Sequence, residues 1–405
     1  MLVPLSYNLR SLMVRRSATL LTVLGIGATV AVVAGVLSLQ QGFRTLYTAH
    51  GREDIAVFLR PGATGEGDSS FRRDKGLQLI KTLPEIAVGA DGQPLASMEC
   101  YLAVRRFRAG GSGRDETNVP IRGVQPATFA LREGDFRIVE GRLFEPGTDE
   151  ILVGRKLVDR IQDCRLGDVL TLNTTPFRVV GVFECPGPFE SEIWGDLDRM
   201  LDALERYGPN RVIARVRPEA FAPAADPDSL GYETRLGALA ERLKEDREVP
   251  AKVQTEREYL AAQTQMLSAV LVFLGAFLGL VMGVAAVFTA TNTMLAAIAA
   301  RTHEIGILLA TGFRPVPIFL ACQLEALVLG LLGGLAGCLM TLPVNGIETG
   351  TTNFQTFTEV AFAFRVTPTV LVTSVAFSLL LGLIGGAWPA LRAARMTPTE
   401  ALRRH

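Results

Sequence analysis

Residues 261–300 read AAQTQMLSAVLVFLGAFLGLVMGVAAVFTATNTMLAAIAA, with no Asp, Glu, Lys or Arg between Glu258 and Arg301. A helix crosses the hydrocarbon core with about 20 apolar residues. As one helix this run would be about 60 Å long at ~1.5 Å per residue, about twice the core thickness, so part of it leaves the bilayer. Three further runs meet the spanning length. Ser17–Phe43 is uncharged between Arg16 and Arg44, Pro315–Ile347 carries only Glu325, and Val366–Leu391 is uncharged between Arg365 and Arg392. All four are rich in Leu, Val, Ala and Gly, as spanning helices are. The whole chain is 48% hydrophobic with a mean hydropathy of +0.28, yet balances 41 basic against 41 acidic residues. That combination suggests a membrane protein with a sizeable polar part. Zero net charge argues against nucleic acid as a partner, because such binding needs excess positive surface.

The first run follows Arg10, Arg15 and Arg16. It is longer than a cleaved signal's apolar region and ends without a small-x-small site, so an uncleaved anchor is expected. Ahead of it, Leu2, Leu5, Leu9, Leu12 and Met13 recur at helical spacing. They read as an amphipathic segment on the inner face, or as an extension of the first span. Arg10, Arg15, Arg16, Arg301, Arg314, Arg392, Arg395, Arg403 and Arg404 put both termini and the loop between spans two and three on the cytoplasmic side. Residues 44–258 then lie outside; they hold 31 Lys+Arg against 36 Asp+Glu, whereas the remainder holds 10 against 5. The neutral total is a sum over two compartments.

The expected organisation is an α-helical membrane protein with four transmembrane helices and a large α+β extracytoplasmic domain between helices one and two. The segments are 1–16 (amphipathic), 17–43 (first span), 44–258 (outer domain), 261–300 (stalk and second span) and 301–316 (cytoplasmic loop). Then come 317–342 (third span), 343–366 (short outer loop), 367–391 (fourth span) and 392–405 (tail). Within the outer domain, strands are expected at Asp54–Leu59, Tyr101–Phe107, Val119–Val124, Glu150–Val153, Val169–Leu172, Phe177–Phe183 and Arg211–Val216. Helices are expected at Phe71–Leu83, Lys156–Ile161 and Leu197–Tyr207, with mostly antiparallel strand pairing. Thr234–Leu260 reads as a helix interrupted at Pro250 that continues as a stalk into the second span, with two helices and a break near Gln263–Gln265 as the alternative.

Catalytic constellations are missing. The three histidines form no HExxH, no serine sits in G-x-S-x-G, and none of the five lysines has a Walker A context. The expectation is therefore a chain that is not itself an enzyme and holds no metal or cofactor. The five cysteines are too scattered for a disulfide framework, though a Cys164–Cys185 bridge stays open. Phe189, Ile193 and Trp194 stand among acids in PGPFESEIWGD (residues 186–196). They read either as an outer partner or cargo surface or, more plainly, as loop aromatics closing a core.

The cytoplasmic loop contains RTHEIGILLATG (residues 301–312), a short helix with Glu304 at its positive end and Gly312 as its stop. Ile305, Leu308 and Leu309 form an apolar ridge with nowhere to pack in a short loop, which calls for a bilayer surface or a protein partner. Glu325 is an acid at membrane depth, and such residues are costly and often functional. Gly330, Gly333, Gly334 and Gly337 permit close helix contact, either at a dimer face or within one subunit.

Three pieces of this pattern resemble the FtsX-like, MacB-type permease family of ABC transporters: NLR at 8–10 with TLLTVLG at 19–25, RTHEIGILLATG followed by Glu325-Ala326, and PALRAARMTPTEALR at 389–403. The resemblance covers the chain in outline and is weakest in the outer domain. It implies a homodimer, or a heterodimer with a related permease, in the bacterial inner membrane. A separate ABC ATPase subunit would bind the ATP and Mg, and a periplasmic adaptor is a further implied partner. It carries ATPase coupling onto Arg301, Glu304, Ile305, Gly306, Leu309 and Gly312. The implied work is export or extraction of a lipoprotein, lipid, peptide or drug at the membrane. The alternatives are an ATPase-driven regulator of an outer enzyme and a ligand sensor.

Overall fold

A computed structural model describes residues 16–110, 115–221, 234–312, 314–353 and 358–397. Of the amphipathic segment read at 1–16, residues 1–15 lie outside the described residues, as does the end of the tail from 398. The chain divides into two compact units. One comprises residues 1–42, 268–347 and 363–405; the other comprises residues 43–267 and 348–362.

The helical unit draws on α1 (Arg16–Thr48), α6 (Glu256–Ala299), α7 (Thr302–Ala310), α8 (Pro315–Thr341) and α9 (Pro368–Ala394). Four of these, all but α7, are long and apolar enough to cross a membrane. A helix satisfies its own backbone, which is why uncharged runs of this length take this form where no water is present. Their hydroxyls follow the same logic. Thr22, Thr29, Thr289 and Thr293 each donate to the carbonyl four residues back, at 2.9–3.0 Å.

Glycines bring these helices together. A Cβ on Gly330 would stand 2.7 Å from the carbonyl oxygen of Ser378, and one on Gly382 2.7 Å from that of Ala326, so α8 and α9 touch backbone to backbone. Gly333 and Gly337 face α1 and leave room for the side chains of Ile26 and Val30. The four-glycine pattern therefore packs spans within one subunit, the second of the two readings above. Pro389 sits inside α9 and has no N–H for the carbonyl of Gly385. That oxygen instead accepts a 2.9 Å bond from Oγ1 of Thr291 on α6.

The sheet-rich unit is built on β1 (Ile55–Leu59), β2 (Ala96–Phe107), β3 (Glu116–Val124), β4 (Arg137–Gly141), β5 (Glu150–Gly154) and β6 (Val169–Leu172). It continues with β7 (Thr175–Glu184), β8 (Ile193–Asp196), β9 (Arg211–Arg215) and β10 (Lys252–Thr255). These ten strands run in the order β10-β1-β9-β2-β3-β8-β5-β7-β4, with β6 on β7. All pairs are antiparallel except β3 with β8 and β5 with β7. The helices of this unit are α2 (Arg73–Thr82), α3 (Pro126–Leu131), α4 (Leu197–Ala203) and α5 (Gly237–Glu245). A separate pair, β11 (Glu348–Asn353) with β12 (Thr358–Ala363), occupies part of the segment read as a short loop. One large apolar core gathers Phe58, Met98, Ile121, Ile151, Phe177, Leu197 and Leu243. A smaller one is aromatic, with Phe144, Phe183, Phe189 and Trp194.

Several expectations change. Lys156–Ile161 is not a helix: only a 3-10 turn forms at Arg155–Leu157, and Ile161 bridges to Arg108 instead. The helix read to Tyr207 stops at Ala203, because Glu205 takes a positive φ of 52°. The helix read over Thr234–Leu260 is α5, then β10, then α6. Thr255 and Glu258 explain the restart. The N–H of Thr255 donates to Oε2 of Glu258 at 2.9 Å, and the N–H of Glu258 donates to Oγ1 of Thr255 at 3.2 Å, a reciprocal capping box. From there α6 runs to Ala299 with no break at Gln263–Gln265.

Candidate functional site

The loop helix α7 has two faces. Thr302, Ile305 and Gly306 are buried. Ile305 packs with Ile298, Ile318 and Ala393, and Leu309 rests on the same cluster. The expectation that Ile305 and Leu309 have nowhere to pack is therefore corrected: they fasten α7 to α6, α8 and α9. The outward face carries His303, Glu304 and Ile307, with Ile307 47% exposed. Gly312 ends the segment at φ 92°, a conformation that glycine adopts without steric cost.

Arg301 precedes α7 and Glu325 lies in α8, and the structure brings them together. Nη2 of Arg301 donates to Oε1 of Glu325 at 3.1 Å, with side-chain exposures of 15% and 7%. The acid of α8 thus has its partner in the RTHEIGILLATG segment. Two residues before Glu325, Nε2 of Gln323 donates to the carbonyl of Leu383 on α9 at 2.9 Å. Of the six residues read as coupling positions, Glu304 is on the outward face. Arg301, Ile305, Gly306 and Leu309 hold the helix in place.

In the sheet-rich unit Phe189, Ile193 and Trp194 are buried at 2%, 0% and 0% exposure. They are not an outer partner surface. Ile193 and Trp194 belong to β8, clamped between β3 and β5. Trp194 stacks on Phe136 at 5.6 Å and 9°. The plainer reading, aromatics closing a core, is the observed one.

Beside that core lies a buried charge cluster that sequence reasoning missed. Arg122 on β3 grips Glu192 with Nε and Nη2 at 2.7 and 2.8 Å, and its Nη1 reaches Glu66 at 2.6 Å and Glu99 at 3.0 Å. Arg211 on β9 donates to Glu99 at 2.6 and 2.8 Å and to Glu66 at 2.6 Å. Trp194 Nε1 donates to Glu192 at 2.7 Å, and the hydroxyl of Tyr259 to Glu66 at 3.0 Å. Arg132 donates to Glu256 at 2.6 Å. Burial works to raise the pKa of Glu99, but Arg211, Arg122 and Arg132 outweigh it and hold the group down at about 2. Charges this deep stand only because each is paired and hydrogen-bonded. Three of the members, far apart in the chain, each stand as a charge inside an apolar strand or at its edge: Met98-Glu99-Cys100, Ile121-Arg122-Gly123 and Asn210-Arg211-Val212. That local contradiction was the available signal.

Cys164 and Cys185 are both free and buried, so no bridge joins them. Among the described residues, no group of three or more His, Cys, Asp or Glu is arranged to hold a metal ion.

Comparison with known proteins agrees with this architecture. Residues 19–227 match the MacB-like periplasmic core domain, and residues 275–398 match the FtsX-like permease C-terminal region. The chain is 26% identical over 97% of its length to the macrolide export ATP-binding/permease protein MacB of Hyphomonas neptunium, covering 59% of that protein. It is 28% identical over 97% of its length to the pyoverdine export ATP-binding/permease protein PvdT of Pseudomonas fluorescens, covering 58%. It thus spans a little under three fifths of these relatives' own length. The periplasmic region of MacB from Actinobacillus actinomycetemcomitans aligns with 51% of the chain at 10% identity and a TM-score of 0.35, too loose a likeness to argue from. With the first matched region alone covering half the chain, this protein belongs to the MacB-like, FtsX-like permease family of ABC transporters.

Proposed function

We propose that the chain is a four-span inner-membrane permease that converts ATP hydrolysis by an ABC ATPase partner into movement of its sheet-rich unit outside the membrane. Both termini and α7 face the cytoplasm in this reading, as the arginine distribution supports. The partner binds the ATP and Mg. Two permease chains, identical or related, work together, with an adaptor outside. The substrate is a lipoprotein, lipid, peptide or drug met at the membrane. Relatives named for macrolide and pyoverdine export support an export role.

The observation that carries the proposal is the two-faced α7. A short helix between two long apolar ones buries Ile305 and Gly306 and turns His303, Glu304 and Ile307 outward. Its base is tied by Arg301 to Glu325. Such a helix is held rigidly enough to be pushed and exposed enough to be gripped. Glu304, with His303 and Ile307, makes the contact with the ATPase. Arg301, Ile305, Gly306, Leu309 and Gly312 fix its angle. The test is photo-crosslinking from position 307 in membranes, with co-purification of Ile307→Asp. A crosslink to an ABC ATPase, lost in the variant while the permease remains in the membrane, is the expected result. Undiminished ATPase association of Ile307→Asp would sink the docking assignment.

A further inference from the structure

The first turns of α6 are fastened to the sheet more heavily than a helix end requires. Glu258 closes the capping box with Thr255 and also accepts from Oγ1 of Thr234 at 2.5 Å and from the N–H of Arg235 at 2.9 Å. Glu256 is fully buried and takes the guanidinium of Arg132 at 2.6 Å. That guanidinium also lies 3.9 Å over the ring of Phe189, in the aromatic core. Arg257 pairs with Glu53 at 2.7 Å, and Arg235 pairs with the same Glu53. One turn on, the hydroxyl of Tyr259 donates to Glu66, which two arginines on β3 and β9 already hold. The charge cluster thus touches β2, β3, β9, the turn before β8 and α6 together. A helix cap contributes about 1 kcal/mol by itself and needs none of these buried charges. Buried ion pairs are weak providers of stability but hold a fixed geometry, since any slip leaves a charge unpaired.

We infer that Arg132–Glu256 and Tyr259–Glu66 form a latch that makes the start of α6 and the centre of the ten-stranded sheet move as one body. These are positioning residues for transmission and touch neither cargo nor ATPase. The inference rests on the function proposed above and deepens it. In this reading displacement of the far end of α6, a single helix from Glu256 to Ala299, is carried along it to Glu256. The latch then delivers that displacement to β2, β3 and β9 rather than letting the helix end slide.

The experiment is hydrogen exchange with mass spectrometry on the full chain with its ABC ATPase in nanodiscs, with and without ATP plus vanadate. It compares wild type, Arg132→Gln and the near-isosteric Tyr259→Phe. Two peptides are followed, one over residues 302–310 and one over residues 116–124. In wild type both respond to the trapped nucleotide. In the variants the 302–310 response persists, while the 116–124 response shrinks about fivefold, a coupling loss of about 1 kcal/mol. A full-sized 116–124 response in both variants overturns the latch and leaves the proposed function standing. Loss of both responses in Tyr259→Phe makes the residue a general structural one and also overturns it. Absence of any response in wild type defeats the proposed function itself, and the latch with it.

Discussion

Arg301, just before the loop helix, places Nη2 3.1 Å from Oε1 of Glu325, one third of the way along the next apolar helix. Both side chains are largely shielded from water. Removing one partner therefore costs more than the pair is worth. Arg301→Met should lower stability in detergent by about 3 kcal/mol, and Arg301→Met with Glu325→Leu should recover most of it. Thermal melts of the four corners of this cycle check it. Equal losses in the single and double variants would mean that the pair does not act as a unit.

The glycines of α8 divide by what they touch. Gly330→Ala would drive a methyl to 2.7 Å from a backbone oxygen of α9, and Gly337→Ala to 2.7 Å from the carbonyl of Gly27 on α1. Neither obstacle can rotate away, so each should destabilise by about 1–3 kcal/mol. Gly25 on α1 has nothing within 4 Å of a Cβ, and Gly25→Ala should be neutral or better. Melting of the three variants in one detergent decides this. A Gly25→Ala loss equal to that of Gly330→Ala would show that helix content, not contact, sets the cost.

Glu99 makes the sheet-rich unit acid-sensitive. Its folded pKa, about 2, lies below the ordinary 4.5. A depressed carboxylate contributes stability that is fully present above the unfolded value and is lost as pH falls through the folded one. The window therefore runs from about 4.5 down to about 2, and the contribution is about 3 kcal/mol. Glu99→Gln should lose that much at neutral pH, and the gap from wild type should close as pH falls. Denaturant melts at successive pH values measure it. A gap that stays constant with pH would remove Glu99 as its source.

The four spanning candidates were legible because a bilayer forbids unpaired charge, and charge-free runs are visible without tertiary knowledge. Their ends were less so. Arg44 ends the first uncharged run, yet α1 continues to Thr48, and α6 begins at Glu256 because Thr255 and Glu258 cap it. The capping signal stands in the sequence as T-x-x-E, inside a longer helical periodicity that masks it. β8 was hidden because four residues, Ile193–Asp196, form a strand only when β3 and β5 flank them. Arg301 and Glu325 could each be picked out, but not their pairing, which depends on how α6 turns into α8. The pairings within the charge cluster were out of reach for the same reason: Glu66 and Arg211 meet across 145 positions.

Burial pushes the thiols of Cys100, Cys164 and Cys185 up to about 12. At pH 8 the thiolate fraction is then about 10⁻⁴. Peptide mapping after maleimide treatment of the folded chain should leave all three unmodified, and denaturant should release them together. Rapid modification of Cys164 or Cys185 in the folded state would contradict their burial.

Pro389 and Thr291 form a compensated defect. Proline in α9 removes the N–H that Gly385 would otherwise receive, and the hydroxyl of Thr291 on α6 supplies a donor at 2.9 Å. In an apolar surround an unmet carbonyl costs about 1–3 kcal/mol. Thr291→Val keeps the shape and removes the donor, so it should destabilise by about that amount. In a Pro389→Ala background the backbone N–H returns, Gly385 is satisfied within its own helix, and the same Thr291→Val change should cost about nothing. The interaction term of this cycle, read from melts in detergent, is the measurement. Equal costs in the two backgrounds would mean that the threonine serves helix packing in general rather than the carbonyl left bare by the proline.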